Sequence, residues 1–174
     1  YFLMEYDKKP GMTRDTENGR PWKRFRPTDY MLSLYDRTID RRYDETFKHV
    51  WYSNNPNVPN LKVGDTALYI PGPGLDKNGI DQDAKWTDAA KAGVLHQVYT
   101  TGDYNNRTFP SLNKWIDNTR PNRQHTQGQR DYVLMRLADA YLIRAEARLK
   151  QGNKSDAAAD LNTVRTRAAW DGKE

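Results

Sequence analysis

The stretch Leu137-Ala138-Asp139-Ala140-Tyr141-Leu142-Ile143-Arg144-Ala145-Glu146-Ala147-Arg148-Leu149-Lys150-Gln151-Gly152 runs on into Asn153-Lys154-Ser155-Asp156-Ala157-Ala158-Ala159-Asp160-Leu161-Asn162-Thr163-Val164-Arg165-Thr166-Arg167-Ala168. Its apolar residues recur at Leu134, Leu137/Ala138, Tyr141/Leu142, Ala145 and Leu149, which is helical spacing. A second set follows at Ala157, Leu161, Val164 and Ala168. Gly152 between the sets is a helix stop, and Asn153 is an N-cap for the next helix. Asp156 takes the capping-box position, where the usual acid is Glu. The spacing therefore predicts an αα-hairpin in which Ala145, Ala157 and Ala168 let two backbones approach closely.

The small residues carry the pattern further. Tyr141, Ala145, Ala157 and Leu161 fall on offsets of the tetratricopeptide repeat, whereas Arg144, Arg148 and Ala169 miss its Leu, Tyr and Pro positions. The reading is one degenerate repeat, and an ordinary alanine-rich hairpin is the plainer alternative. Such repeats usually come in threes or more, and no second copy is visible. The hairpin's neighbours are expected in the rest of the chain or in sequence missing from it. Arg144 and Arg148, one turn apart, repel each other unless acids from elements packed over the hairpin pair with them.

Outward from the hairpin, 174 residues give a prior of one domain. Apolar content is 36% and mean hydropathy is −1.04, which fits a small core with long polar loops. Trp 5, Tyr 11 and Phe 4 argue against disorder. No apolar run approaches the ~18 residues of a membrane helix. Tyr1-Phe2-Leu3-Met4 has neither the basic lead nor the cleavage site of a signal peptide, and the chain reads as a fragment of something longer. Cysteine is absent, so there is no disulfide framework and no thiol nucleophile. The net charge of +5 is made of interspersed acids and bases without a long basic block, so a mixed solvated surface is expected and no nucleic-acid partner.

In chain order, residues 1–6 read as the end of a strand, 29–36 as a helix capped by Thr28, and Phe47–Tyr52 as a strand. Thr66–Ile70 and Val94–Tyr99 read as further short strands, and 75–92 as a loop around Trp86. Pro71-Gly72-Pro73-Gly74 is a turn cluster and lacks the Gly-Lys-Ser/Thr of a phosphate loop. A basic loop spans Arg120–Arg130, and 132–135 is expected to be extended. The fold class expected is mainly α with long loops and a few short strands. Its parts are a loop-rich region over 1–131 and a helical hairpin over 132–170.

Catalytic constellations are weak. His49, His96 and His125 have no ligand spacing, so no metal and no cofactor is expected. Asp40/Asp44 and Asp81/Asp83 are short-range pairs of the kind found in turns. What stands out is a set of loop aromatics, Trp22, Trp86, Tyr104 and Trp115. A flat ring covers the apolar face of a sugar while neighbouring Asn, Asp and Arg supply hydrogen bonds. Each is also a candidate core residue.

Segments in a fixed order carry a resemblance. They are Gly19-Arg20-Pro21-Trp22-Lys23-Arg24-Phe25-Arg26-Pro27-Thr28 with Leu34-Tyr35-Asp36 and Asp40-Arg41-Arg42-Tyr43, then Phe47-Lys48-His49-Val50-Trp51-Tyr52-Ser53-Asn54. Phe109-Pro110-Ser111-Leu112-Asn113-Lys114-Trp115 follows, and last come Arg136–Ala147 and Leu161–Ala168. Together they resemble the C-terminal part of a SusD-like (SusD/RagB) nutrient-binding outer-membrane lipoprotein. The resemblance implies a mostly helical, tetratricopeptide-type scaffold beneath a loop-rich region. It also implies a lipid anchor at the extracellular face of the outer membrane, glycan or other oligomer binding, and a TonB-dependent (SusC-like) transporter as partner. It implies no enzyme activity. The family's ligand residues sit on variable loops, so none carries over by position. A protein–protein adaptor of tetratricopeptide type and a glycoside hydrolase fragment are the competing expectations.

Overall fold

The computed structural model describes residues 2–74 and 97–170, apart from the side chain of Trp115. The expected loop over 75–92 with Trp86, and the first residues of the strand expected over Val94–Tyr99, lie outside the described residues. The helices are α1 (Asp29–Ser33), α2 (Arg42–Thr46), α3 (Leu137–Lys150) and α4 (Lys154–Ala168). The strands are β1 (Phe47–Lys48), β2 (Val50–Tyr52), β3 (Thr66–Tyr69), β4 (Gln97–Val98) and β5 (Ser111–Leu112). Short 3₁₀ turns occupy Tyr6–Lys8, Thr101–Asp103 and Asn113–Trp115. The chain forms two compact units, Tyr1–Leu34 with Asp44–Gln129, and Tyr35–Tyr43 with Arg130–Glu174.

The expectation of a mainly α fold is wrong. Among the described residues the long helices are confined to the hairpin, and the larger unit is made of short strands, the five-residue helix α1, 3₁₀ turns and irregular chain. The cause is local. All 9 prolines precede Asn122, and each removes a donor and biases its predecessor away from helix. The mostly helical scaffold that the resemblance implies is limited, among the described residues, to the hairpin and two five-residue helices.

The larger unit is held by one apolar cluster. Leu3, Met4, Tyr6, Met12, Trp51, Leu61, Ala67, Leu68, Ile70 and Phe109 are buried in it, with Val58, Tyr99, Tyr104 and Ile116 packed on its rim. The Tyr6 and Trp51 rings stack at 4.8 Å. β2 and β3 pair antiparallel with Trp51 opposite Leu68, and β4 joins β3 in parallel. β1 pairs with β5 in a separate two-stranded ribbon, Phe47 opposite Leu112.

The strand expected over Phe47–Tyr52 is thus two strands. It changes partner at His49, whose carbonyl still accepts from Ile70 N–H (2.8 Å). Of the strand expected over residues 1–6, the described residues 2–6 form none. Met4 N–H donates to the Ser111 hydroxyl (3.0 Å) and Glu5 N–H to the Arg107 carbonyl (2.9 Å), so backbone donors are met without a ladder. α1 is capped as expected, Thr28 Oγ1 accepting from Met31 N–H (3.1 Å), but it ends at Ser33. Asp36 beyond it holds Thr38 in an Asx turn that a helix cannot include. Residues 132–135 pair in no strand.

The smaller unit is the hairpin. α3 ends in a Schellman motif: Asn153 N–H donates to Arg148 O (2.9 Å) and Gly152 N–H to Leu149 O (3.0 Å), with Gly152 at φ +83°. Asn153 Oδ1 then accepts from Asp156 N–H (3.2 Å), capping α4 as its sequence predicts. Ala145 and Ala157 are buried, so small side chains do set the approach. Asp160, buried on α4, accepts two bonds from Arg144 (2.9 and 2.7 Å) and one from Arg148 (2.7 Å). The arginine pair therefore shares one carboxylate from inside the hairpin, where an overlying element was expected to supply the acids.

The last carbonyls of α4 are also met. Arg41 donates to Ala168 O (3.0 Å, backbone) and to Arg167 O (3.0 Å, side chain), placing a cation at the negative end of the helix. Leu134, Leu137, Ile143 and Leu149 of this unit remain exposed.

Candidate functional site

Trp22 sits in the segment Gly19–Arg26 of the larger unit. Its indole is half-buried, with the Arg20 guanidinium 4.6 Å and the Arg24 guanidinium 5.8 Å from the ring centroid. Arg20 and Arg24 stand two residues before and two after Trp22, and both reach its ring. Lys23 has φ +43°, a left-handed conformation costing an L residue roughly 1–2 kcal/mol. Two contacts hold it there. Lys23 N–H donates to Leu3 O (3.0 Å) and Lys23 Nζ to Glu5 Oε1 (2.6 Å). The hydrogen bond from Lys23, ahead of the opposing effect of burial, holds the Glu5 carboxyl below its ordinary value. Phe25 beside the site lies 5.4 Å from Phe2, ring to ring.

The basic loop beginning at Arg120 lies against this segment. Gln124 is the clasp: its side-chain oxygen accepts from Arg14 Nη1 (2.9 Å) and its carbonyl from Arg20 Nη1 (3.1 Å). Arg120 lies over Gly19, where a Cβ would stand 2.5 Å from Arg120 Nη1, and Gly19 has φ +78°. Only glycine satisfies both conditions. The Gly19 carbonyl accepts from Tyr6 Oη (2.6 Å), tying the segment to the core. Burial pushes the Tyr6 phenol above its ordinary value, so it remains a donor. The loop's own anchor is buried Asp117, which accepts from Thr119 N–H (2.9 Å), Thr119 Oγ1 (2.6 Å) and Gln129 N–H (2.6 Å).

The acids nearby have other partners. Asp7 pairs with Arg14 (2.6 Å) and Glu5 with Lys23 (2.6 Å). Asp15 faces Asn18 and Asn54. Among the described residues, Arg20, Arg24 and Arg120 have no carboxylate partner, and Arg120 Nε is buried without a hydrogen bond. Glu17, exposed in the same segment, acts electrostatically on Lys48.

Of the four expected ligand residues, Trp22 lies in this arginine-rich setting. Tyr104 is half-buried on the rim of the core, after the 3₁₀ turn that Thr100 and Asp103 cap. The backbone of Trp115 is in a 3₁₀ turn, its side chain is outside the described residues, and so is Trp86. The expectation missed Arg20, Arg24, Arg120 and Gln124. The signal available was the run of basic residues on both sides of Trp22, together with the basic loop itself.

Among the described residues no group of His and carboxylate side chains could hold a metal. His49 Nε2 is 3.8 Å from Asp44, and His125 Nδ1 lies 2.9 Å from Gln127 O. Asp40 is engaged by Arg42 (2.5 Å), whose hydrogen bond holds the carboxyl below its ordinary value. One further cation, Lys48, is half-buried. Lys48 Nζ donates to Asn18 Oδ1 (2.6 Å) and lies 4.5 Å from the Trp51 ring centroid, and burial depresses its pKa.

No helix among the described residues is long and apolar enough to cross a membrane. No curated protein and no solved structure matches the chain. The model of one family, the SusD family, matches residues 3–174. A match over nearly the whole chain, on a structure that ends in the alanine-packed hairpin, makes this chain a member of the SusD family, whose proteins bind nutrients at the outer membrane.

Proposed function

We propose that this chain belongs to a non-catalytic binding protein that takes a glycan or another oligomeric nutrient at the extracellular face of the outer membrane. It delivers that nutrient to a TonB-dependent, SusC-like transporter, held in place by a lipid anchor on a preceding part of the protein. The observation that carries the reading is Trp22, an indole kept half-exposed by a strained backbone and by flanking guanidinium groups. Strained conformations persist where the surroundings over-determine them, and they concentrate at binding sites. A rigid ring loses little entropy on binding, so it makes an effective platform for a sugar face. Calorimetric titration against a panel of oligosaccharides tests the proposal. The expected result is saturable binding to one glycan class that Trp22→Ala weakens about tenfold or more, with the fold unchanged. Full-strength binding by Trp22→Ala would move the site elsewhere.

A second reading is favoured by the exposed Leu142 and Leu149, seven residues apart on one face of α3. Contiguous exposed apolar surface marks protein interaction. On that reading the hairpin is a tetratricopeptide-type adaptor. Charged substitutions at Leu142 and Leu149 would then abolish capture of a protein partner while glycan titrations remain unchanged.

A further inference from the structure

We infer that the oligomer bound at the Trp22 surface is acidic, an oligosaccharide bearing carboxylate or sulfate groups. This rests on the glycan-binding reading above and narrows it.

The chain's charges are interspersed in sequence, but folding sorts them. Asp7 is used by Arg14, Glu5 by Lys23, and Asp117 by its own loop. Arg20, Arg24 and Arg120 come from segments a hundred residues apart, meet around Gly19 and Trp22, and share no carboxylate among the described residues. Cations gathered without counterions repel one another, so the arrangement costs energy until an anion arrives. The geometry suits an anion on a sugar. A guanidinium lying over an indole directs its N–H donors outward in its own plane, where a carboxylate or sulfate can accept two at once. Among the described residues Arg20 spends one donor, on Gln124 O, of the five a guanidinium carries. The indole beside the guanidinium groups supplies apolar contact for the ring that carries the acid. Lysines would allow a looser, point-charge recognition, and here the residues are arginines.

The test uses the full chain and matched hexasaccharides: an oligogalacturonate, a sulfated carrageenan fragment, and neutral galactohexaose, with a single-stranded DNA of equal charge as a fourth probe. The inference predicts that one of the two acidic sugars binds at least tenfold more tightly than galactohexaose and than DNA. It also predicts about tenfold weakening between 50 and 300 mM NaCl as screening shortens to a few ångströms. Arg24→Gln should weaken that binding about tenfold. Arg24 is exposed, so loss of fold does not confound the result. Galactohexaose binding as tightly as its acidic counterpart would overturn the inference and leave the glycan reading standing. DNA binding as tightly as either acidic sugar would reduce the surface to a general polyanion patch and also overturn it. No binding to any sugar of a wider neutral and acidic panel would sink the glycan reading itself.

Discussion

Replacing Gly11 with alanine should cost the larger unit about 2–4 kcal/mol. Gly11 has φ +83°, and a Cβ there would stand 2.3 Å from Leu61 Cδ2 and 3.0 Å from Ala67 Cβ. Leu61 is 4% exposed and Ala67 1%, so neither can step aside into solvent. Nor can the backbone retreat readily, because Gly11 O accepts from both Asn54 N–H (3.0 Å) and Asn55 N–H (3.2 Å). The left-handed conformation contributes roughly 1–2 kcal/mol. Forcing a methyl into a filled core adds about 1–3 kcal/mol. The lower entropy of the unfolded alanine chain returns ~0.4–1 kcal/mol. Gly64 is the internal control, at φ +95° with nothing within 4 Å of its Cβ position. Gly64→Ala should show the conformational part alone, ~1 kcal/mol. The assay is urea denaturation followed by tryptophan fluorescence, which reports on buried Trp51. Equal losses for the two variants would refute the packing argument and with it the placement of Gly11 against the core.

Asn153→Ala should lower stability by about 1 kcal/mol and Asn153→Gly by only a few tenths, read from the thermal melt of the helical signal. Asp160 is held below the ordinary carboxylate range, first by its hydrogen bond to Arg144, so the folded state prefers the charged form. Its stabilisation of the hairpin is complete above that range and is lost as pH falls through the depressed folded value. Asp160→Asn should therefore flatten the acid limb of a stability–pH curve, and an unchanged limb would remove Asp160 as the clamp. Trp51→Ala should cost ~3–5 kcal/mol as a fully buried ring, against a much smaller loss for Trp22→Ala. Comparable losses would show that Trp22 is core rather than platform.

The hairpin was legible because its information is local. Apolar spacing, Gly152 and Asn153 each act within a turn or two. The structure uses Gly152 and Asn153 as stop and cap. Of the spaced apolar positions it buries Ala145 and Ala157 and leaves Leu134, Leu137 and Leu149 exposed. Its clamp was not legible. Asp160 lies sixteen positions from Arg144, and only the crossing of two helices brings them together. The same limit governed the strands. Phe47–Tyr52 has the composition of one strand, but that β1 pairs with Ser111–Leu112 while β2 pairs with Thr66–Tyr69 depends on distant segments. The mainly α expectation followed the family resemblance and the hairpin, whereas the strand and loop signals read before Leu137 already pointed away from long helices. At the site, Trp22 and the basic loop were each visible. Gln124 joining Arg14 to Arg20 was not, because a glutamine contacting partners over a hundred residues away leaves no periodic trace.

The claim that Trp22 is the recognising surface is tested most directly by fluorine NMR on protein labelled with 5-fluorotryptophan, the Trp22 resonance being assigned by its loss in Trp22→Phe. On titration with a bound oligosaccharide, that resonance should shift and saturate while the signal of buried Trp51 stays in place. A Trp22 resonance that does not move while calorimetry records binding would contradict the account.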